Sequence, residues 1–206
     1  MKLFLIRHGQ TEWNQQGRMQ GHGDSPLTER GRRQADLTGK ALSAYHISHF
    51  FCSDAGRALE TVERILKENA GLPMPRRDPR LREINYGKWE GLVRKEIEDG
   101  YPELYRAYKR DPESFKAPDG ESFLDLQYRF LSFLAEVPQI DDENCLVVAH
   151  SGLIRVAVLA LTHRGLNELA VMPPMQEASI TILESTRGDW KLLESSSTKH
   201  LSGLTA

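Results

Sequence analysis

Two histidines stand at the ends of short apolar runs. Lys2-Leu3-Phe4-Leu5-Ile6 leads into Arg7-His8-Gly9, and Cys145-Leu146-Val147-Val148-Ala149 leads into His150-Ser151-Gly152. Apolar runs of this length, bounded by glycine, read as buried strands. In open α/β sheets, ligands bind just past the carboxyl ends of strands, which is where both histidines fall. Arginine forks onto phosphate or carboxylate and keeps its charge. Histidine can serve as nucleophile, base or metal ligand. Arg7-His8 thus has what a phosphoryl-transfer site needs, although two residues alone equally suit a strand that ends in polar side chains. A lone strand-end histidine such as His150 is usually structural.

Two further residues stand out. Ile47-Ser48-His49-Phe50-Phe51-Cys52 reads as a strand, and the chain then turns at Ser53-Asp54-Ala55-Gly56 into a helix running to about Asn69. Ser53 or Asp54 is expected to cap that helix. Arg57 lies in its first turn, where it opposes the helix dipole and requires an anion, either a ligand or an intramolecular carboxylate. Glu83 sits among Arg76, Arg77, Arg80 and Arg82. By charge alone these arginines are a solvated basic patch and Glu83 is an ordinary ion-pair partner.

The longer stretches are more specific. Leu5-Ile6-Arg7-His8-Gly9-Gln10-Thr11-Glu12-Trp13-Asn14 closely resembles the signature of the histidine phosphatase superfamily, also called the phosphoglycerate mutase-like family. Similar to that family too are Gln20-Gly21 with Asp24-Ser25-Pro26-Leu27-Thr28, and Ser53 with Gly56-Arg57-Ala58 and Glu60-Thr61. Leu81-Arg82-Glu83-Ile84 with Gly87 and Trp89-Glu90-Gly91, the turn Gly120-Glu121-Ser122, and His150-Ser151-Gly152 complete the set. The motifs fall in the family's order and span essentially all 206 residues. The resemblance implies that His8 is a nucleophile phosphorylated during turnover. It implies that Arg7, Asn14, Arg57 and His150 hold the phosphoryl oxygens, with Gln20, Gly21 and Ser151 as further substrate contacts. It assigns Glu83 as the acid that protonates the leaving oxygen and then activates water. Relatives often carry Asn in the Met172–Glu177 loop. Glu177 stands near its place, which puts a polar substrate contact there in question.

The elements that must position these groups follow from patterning. Gly17, Gly21, Gly23 and Pro26 mark a loop, and Thr28 is a suitable N-cap for a helix whose Gly31, Ala35 and Leu42 share one face. From about 88 to 138 the chain becomes helical and aromatic-rich, and Phe123, Leu126, Phe130, Phe133 and Val137 keep core spacing. This segment reads as a small helical cap inserted between strands. Ala178–Leu183 and Trp190–Leu193 read as a closing hairpin, and the Ser/Thr-rich tail from Ser195 is expected to be loosely held. The expected fold is α/β: a three-layer α/β/α sandwich around a mixed, mostly parallel sheet, in a single domain spanning 1–206.

Bulk properties narrow the function. The 27 Lys+Arg against 29 Asp+Glu leave a formal net charge of −2, so nothing global favours nucleic acid or an anionic membrane. No apolar run approaches the ~20 residues of a membrane span. A polar turn follows only five core-like residues, so no signal peptide is expected. Cys52 and Cys145 read as reduced core residues of a cytoplasmic protein. The seven histidines lack metal-ligand spacing, and the arginines supply positive charge, so neither metal nor cofactor is expected. His22 reads as a solvated loop residue. Within the family the chain looks most like a broad-specificity phosphatase acting on small phosphomonoesters. Cofactor-dependent phosphoglycerate mutase, α-ribazole-phosphate phosphatase and a non-enzymatic phosphate-ester-binding scaffold are the alternatives, and oligomeric state is not readable. The mutase pattern places Arg-His-Tyr after the glutamate, where this chain has Ile84-Asn85-Tyr86.

Overall fold

The computed structural model describes residues 1–138 and 143–204. The chain runs through β1 (Lys2–Arg7), α1 (Glu12–Gln16), α2 (Glu29–Leu42), β2 (His49–Cys52), α3 (Gly56–Glu68), β3 (Arg76–Arg77), α4 (Arg94–Gly100), α5 (Pro102–Arg110), α6 (Phe123–Leu134), β4 (Asn144–Ala149), α7 (Ser151–Leu161), β5 (Ile180–Thr186) and β6 (Asp189–Ser197). Short 3₁₀ turns lie between several of them. The six strands form one sheet in the order β3-β2-β4-β1-β5-β6. β3, β2, β4 and β1 are mutually parallel; β5 runs antiparallel to β1, and β6 antiparallel to β5.

Side chains alternate across the sheet with the period of two that strands impose. Phe4, Ile6, Phe50, Cys52, Leu146 and Val148 face one side, where they meet Leu42 of α2 and Ala58, Val62 and Ile65 of α3. Leu3, Leu5, Cys145, Val147 and Ala149 face the other, against Leu126, Phe130 and Phe133 of α6 and Leu153, Ile154 and Val158 of α7. This is the three-layer α/β/α arrangement, with a mixed, mostly parallel sheet.

The helical run between β3 and β4 divides. α6 packs on α7 in the outer layer, while α4 and α5 pack on one another, with α5 also on the 3₁₀ turn Leu166–Ala170. Trp89, fully buried, has the rings of Tyr101, Tyr105, Tyr108 and Phe115 around it at centroid distances of 6.2, 6.4, 5.7 and 5.2 Å. Most of the aromatics are core, as their spacing predicts; Tyr128 is exposed.

Three local expectations are corrected. β2 starts at His49 rather than Ile47. α3 has Ala55 at its N-cap with no side-chain cap bond, because Ser53 Oγ contacts His150 and Asp54 pairs with Arg82. The tail is held rather than loose through its described residues, up to Leu204. β6 continues to Ser197, where Ser196 N donates to Thr181 Oγ1. A 3₁₀ turn at Lys199–Leu201 then packs on α2, with His200 Nε2 3.1 Å from both Thr38 Oγ1 and the Ala178 carbonyl. The last two residues, 205 and 206, lie outside the described residues. The expected cap is present: Thr28 Oγ1 accepts from Gly31 N at the start of α2.

Candidate active site

The site forms where three adjacent parallel strands end together. β1 and β4 are in register with Arg7 opposite Ala149. The ladder continues past their ends, with His8 N donating to the Ala149 carbonyl and Ser53 N to the Val148 carbonyl. This fixes the next residues, His8, Ser53 and His150, side by side. The imidazoles of His8 and His150 lie 5.3 Å apart between centroids. The turn after His8 is pressed against the start of α2. A Cβ on Gly9 would lie 2.5 Å from the Gly31 carbonyl oxygen, so only glycine admits this approach. Gly9 N donates to Thr61 Oγ1 of α3, which ties the turn to a second helix.

His8 is buried, and its Nδ1 lies 2.8 Å from the Gly9 carbonyl oxygen. A carbonyl can only accept, so Nδ1 carries the proton and Nε2 keeps its lone pair. Burial, then the charges of Arg57 and Arg7, push His8 well below the ordinary histidine range. Burial, then Arg57, His8 and Arg7, do the same to His150. Both rings are therefore neutral near pH 7. His150 Nε2 lies 2.8 Å from Ser53 Oγ, and its buried Nδ1 has no partner.

The arginines are fixed by protein groups yet incompletely satisfied. Arg57, 1 % exposed, donates through Nη1 to Asp24 Oδ1 and the Gly23 carbonyl and through Nη2 to the Gly21 carbonyl. An intramolecular carboxylate thus answers part of its need for an anion. Arg7 donates from Nη1 to the Met175 carbonyl, and its Nη2 lies 3.5 Å from Glu177 Oε1. Burial lowers Arg7 from its ordinary value, and Glu177 and Glu83 oppose that shift. The Nε atoms of both Arg7 and Arg57 are buried without a partner. Unmet buried N–H groups on two guanidinium ions that line one cavity suit an anion there.

Glu83 sits on the other side. Its carboxylate accepts from Gly152 N at 2.9 Å, from Leu153 N at 3.1 Å and from Ile84 N at 3.0 Å. The first two are free N–H groups at the start of α7, which satisfy a carboxylate there. A Cβ on Gly152 would come 2.4 Å from Glu83 Oε1, so the contact depends on that glycine. Arg129 of α6 holds the segment from behind by donating to the carbonyls of Arg80, Arg82 and Glu83. The basic patch is only partly solvated: Arg80 pairs with Asp78 and Glu136, and Arg82 with Asp54.

A cavity of about 300 Å³ opens over these groups. Arg7, His8, Asn14, Gln20, Gly21, Arg57, Glu83 and Ser151 line it; His150 lies beneath, fully buried. Asn14 Oδ1 accepts from Thr11 N and Oγ1 in the capping box of α1, which turns its amide nitrogen away from those bonds. Gln20 is more committed than its expected role suggests, because Nε2 donates to Thr11 Oγ1 and Oε1 accepts from Ser25. Ser151 Oγ accepts from Met175 N. His22 is exposed. Among the described residues, no cluster of His, Cys, Asp or Glu could hold a metal ion.

The cavity also has Arg18, Tyr86, Arg94, Tyr108, Arg155 and Glu177 in its wall. Sequence reasoning did not place the three arginines. Arg94 carries the same signal as Arg57, an arginine in the first turn of a helix. Arg155 gives no local signal, since its Nη2 reaches the carbonyls of Leu169 and Met172. Glu90, read only as part of a motif, accepts from His22 N, Gly23 N and Tyr86 N and so anchors the loop that holds Arg57.

The model of the histidine phosphatase superfamily (branch 1) matches residues 3–198. A protein of Hydrogenobacter thermophilus named phosphoserine phosphatase 1 is 35% identical over 162 residues, covering 78% of this chain and 76% of its own. A protein of an Enterobacter species named probable phosphoglycerate mutase GpmB is 31% identical over 192 residues, covering 92% and 87%. The solved structure of Bacillus stearothermophilus YhfR superposes with a TM-score of 0.88 at 35% identity, covering 97% of this chain and 98% of that one. Sequence, fold and the paired strand-end histidines agree: the chain belongs to branch 1 of the histidine phosphatase superfamily.

Proposed function

We propose that this protein is a metal-independent phosphatase that hydrolyses small phosphomonoesters through a phosphohistidine on His8. The observation that carries the reading is a neutral His8, its Nδ1–H tied to Gly9, in one cavity with Arg7 and Arg57 and beside His150, the Nε atoms of both arginines and the Nδ1 of His150 being buried without a partner. The tautomer leaves Nε2 as the nucleophile. In-line attack forms the Nε2–P bond and breaks the ester P–O bond. Arg7 and Arg57 offset charge on the equatorial oxygens, with Asn14 beside them. With the Ser53 hydroxyl donating to His150 Nε2, the His150 proton sits on Nδ1 and can donate a hydrogen bond to a phosphoryl oxygen. Glu83 gives its proton to the leaving alcohol, and as carboxylate it then takes one from the water that breaks the N–P bond.

Ile84 is buried in the core and Asn85 Oδ1 accepts from Gly87 N, so neither adds a cation beyond Glu83. The alcohol portion has a neighbouring cavity of about 200 Å³ whose wall mixes Trp89, Tyr105, Tyr108 and Phe123 with Arg94, Lys109 and Arg155, which suits alcohols that are partly apolar and partly polar or anionic. A second reading, phosphoglycerate mutase, rests on Arg18, Arg94 and Arg155, cations beyond those the phosphoryl group needs. We take residues 1–206 as one domain in which only α4 and α5 of the expected 88–138 cap cover the cavity, α6 belonging to the outer layer, and without nucleic-acid or membrane partners. No described helix is long and apolar enough to cross a membrane. The two buried free cysteines support a cytoplasmic location.

The test is one preparation assayed for release of inorganic phosphate from p-nitrophenyl phosphate and a panel of phosphorylated metabolites, and for interconversion of 3- and 2-phosphoglycerate with 2,3-bisphosphoglycerate present. Hydrolysis of several esters, unaffected by EDTA and inhibited by vanadate, is expected. Isomerisation outrunning phosphate release by orders of magnitude would make the protein a mutase.

A further inference from the structure

Glu177 is the one carboxylate within ion-pairing distance of Arg7 among the described residues, with 3.5 Å between Oε1 and Nη2. The two partners differ in freedom. The Arg7 side chain is 11 % exposed, whereas that of Glu177 is 30 % exposed. The backbone around Glu177 is anchored on both sides. Met175 N donates to Ser151 Oγ, Ala178 N to the His8 carbonyl, and Arg7 N to the Ser179 carbonyl. Ala178 itself holds a left-handed φ of 54°. The segment is thus fixed directly to the backbone of the nucleophile, and only the Glu177 side chain is left to move. That side chain borders two spaces: the catalytic cavity, and an open groove walled by Gln34, Glu194, Thr198 and Lys199.

A carboxylate held on Arg7 repels a phosphate dianion arriving at the same guanidinium. We infer that Glu177 is an internal competitor for Arg7. In the free protein its carboxylate holds the guanidinium. It yields Arg7 to the phosphoryl group of an arriving ester by turning toward the groove, and it reclaims Arg7 as inorganic phosphate leaves. The inference rests on the phosphatase reading and adds a role that reading does not contain. Glu177 acts through Arg7, as a positioning residue that weakens anion binding and favours release of product. A purely structural Glu177 would instead hold Arg7 in its binding pose, and removing its charge would weaken anion binding.

The two roles predict opposite signs. The experiment measures the Kd of inorganic phosphate by calorimetry, and its competitive Ki against p-nitrophenyl phosphate, for the natural protein, Glu177→Gln and Glu194→Gln. Gln is isosteric and can still accept from Arg7, so the fold is kept while the charge is lost. Glu177→Gln should bind phosphate about fivefold more tightly, the scale of one partly screened ion pair. Glu194→Gln, which removes the same charge from the groove wall outside the catalytic cavity, should stay within about twofold, since screening weakens exposed charges at a distance. Unchanged or weaker phosphate binding in Glu177→Gln would overturn the inference, and so would equal tightening in Glu194→Gln. Calorimetry reads binding without turnover, so a protein that binds phosphate but hydrolyses no ester would refute the phosphatase reading while leaving this comparison intact.

Discussion

At the scale of single residues, the site's chemistry depends on which proton sits where. The Gly9 carbonyl settles the tautomer of His8, and burial beside two guanidinium ions keeps the ring neutral. Because the His8 pKa lies well below the ordinary value of about 6.5, the acidic limb of kcat/KM that reports its protonation should also fall below that value. A pH–rate profile of the free enzyme checks this; a limb at or above 6.5 would mean that His8 is charged or is not the nucleophile. Glu83 has a separable role. Glu83→Gln should depress hydrolysis of alkyl phosphates by ~10²–10⁴-fold, the usual worth of general acid help. It should cost p-nitrophenyl phosphate far less, because that leaving group scarcely needs a proton. Equal losses would assign Glu83 to positioning.

At the scale of elements, precision comes from long-range contacts that no local pattern encodes. The ends of β1 and β4 were legible, because continuous apolar runs followed by His and Gly point to strand termini, and the Arg57 turn was legible from its conflict with the helix dipole. What was hidden is how these ends are braced. Arg129 looks like a solvated charge on an amphipathic helix, yet it donates to three carbonyls of the 80–83 segment and pairs with Glu121. Arg129→Met should lower stability by about 2–3 kcal/mol through the acceptors it orphans, and should reduce kcat more than it changes KM because Glu83 loses its backing. Thermal unfolding and steady-state kinetics on the same variant check both; unchanged kcat in a destabilised protein would limit Arg129 to structure. The tail was misread for a related reason. Ser195, Ser196 and Ser197 have no apolar pattern, yet the Ser196 backbone N–H and hydroxyl reach Thr181 and Ser179 beside the irregular register of β5 and β6. The division of the 88–138 run between two packing partners was hidden too, because core spacing in α6 says that a face is buried and not against what.

At the scale of the whole molecule, the sheet places two buried neutral histidines, two arginines and a carboxylate around one small cavity, and stability must tolerate that concentration of positive charge. His8 and His150 are both held below their unfolded values, so below about pH 6.5 the unfolded chain binds protons that the native state refuses. Their contribution to stability is therefore complete above that value and is lost as pH falls below it, toward their depressed native values. Bound phosphate or vanadate should raise the melting temperature at a given pH, because either ligand occupies the cationic site of the native state alone; melting curves from pH 4.5 to 7.5 with and without vanadate show both effects. The central claim is that the phosphoryl group passes through His8. Its most direct test is rapid mixing with a ³²P-labelled phosphomonoester, a quench within the first turnovers and mapping of the labelled peptide. The account predicts acid-labile, base-stable label on the peptide carrying His8, and no label and no turnover in His8→Ala. Label on any other residue, or full turnover in His8→Ala, would contradict it.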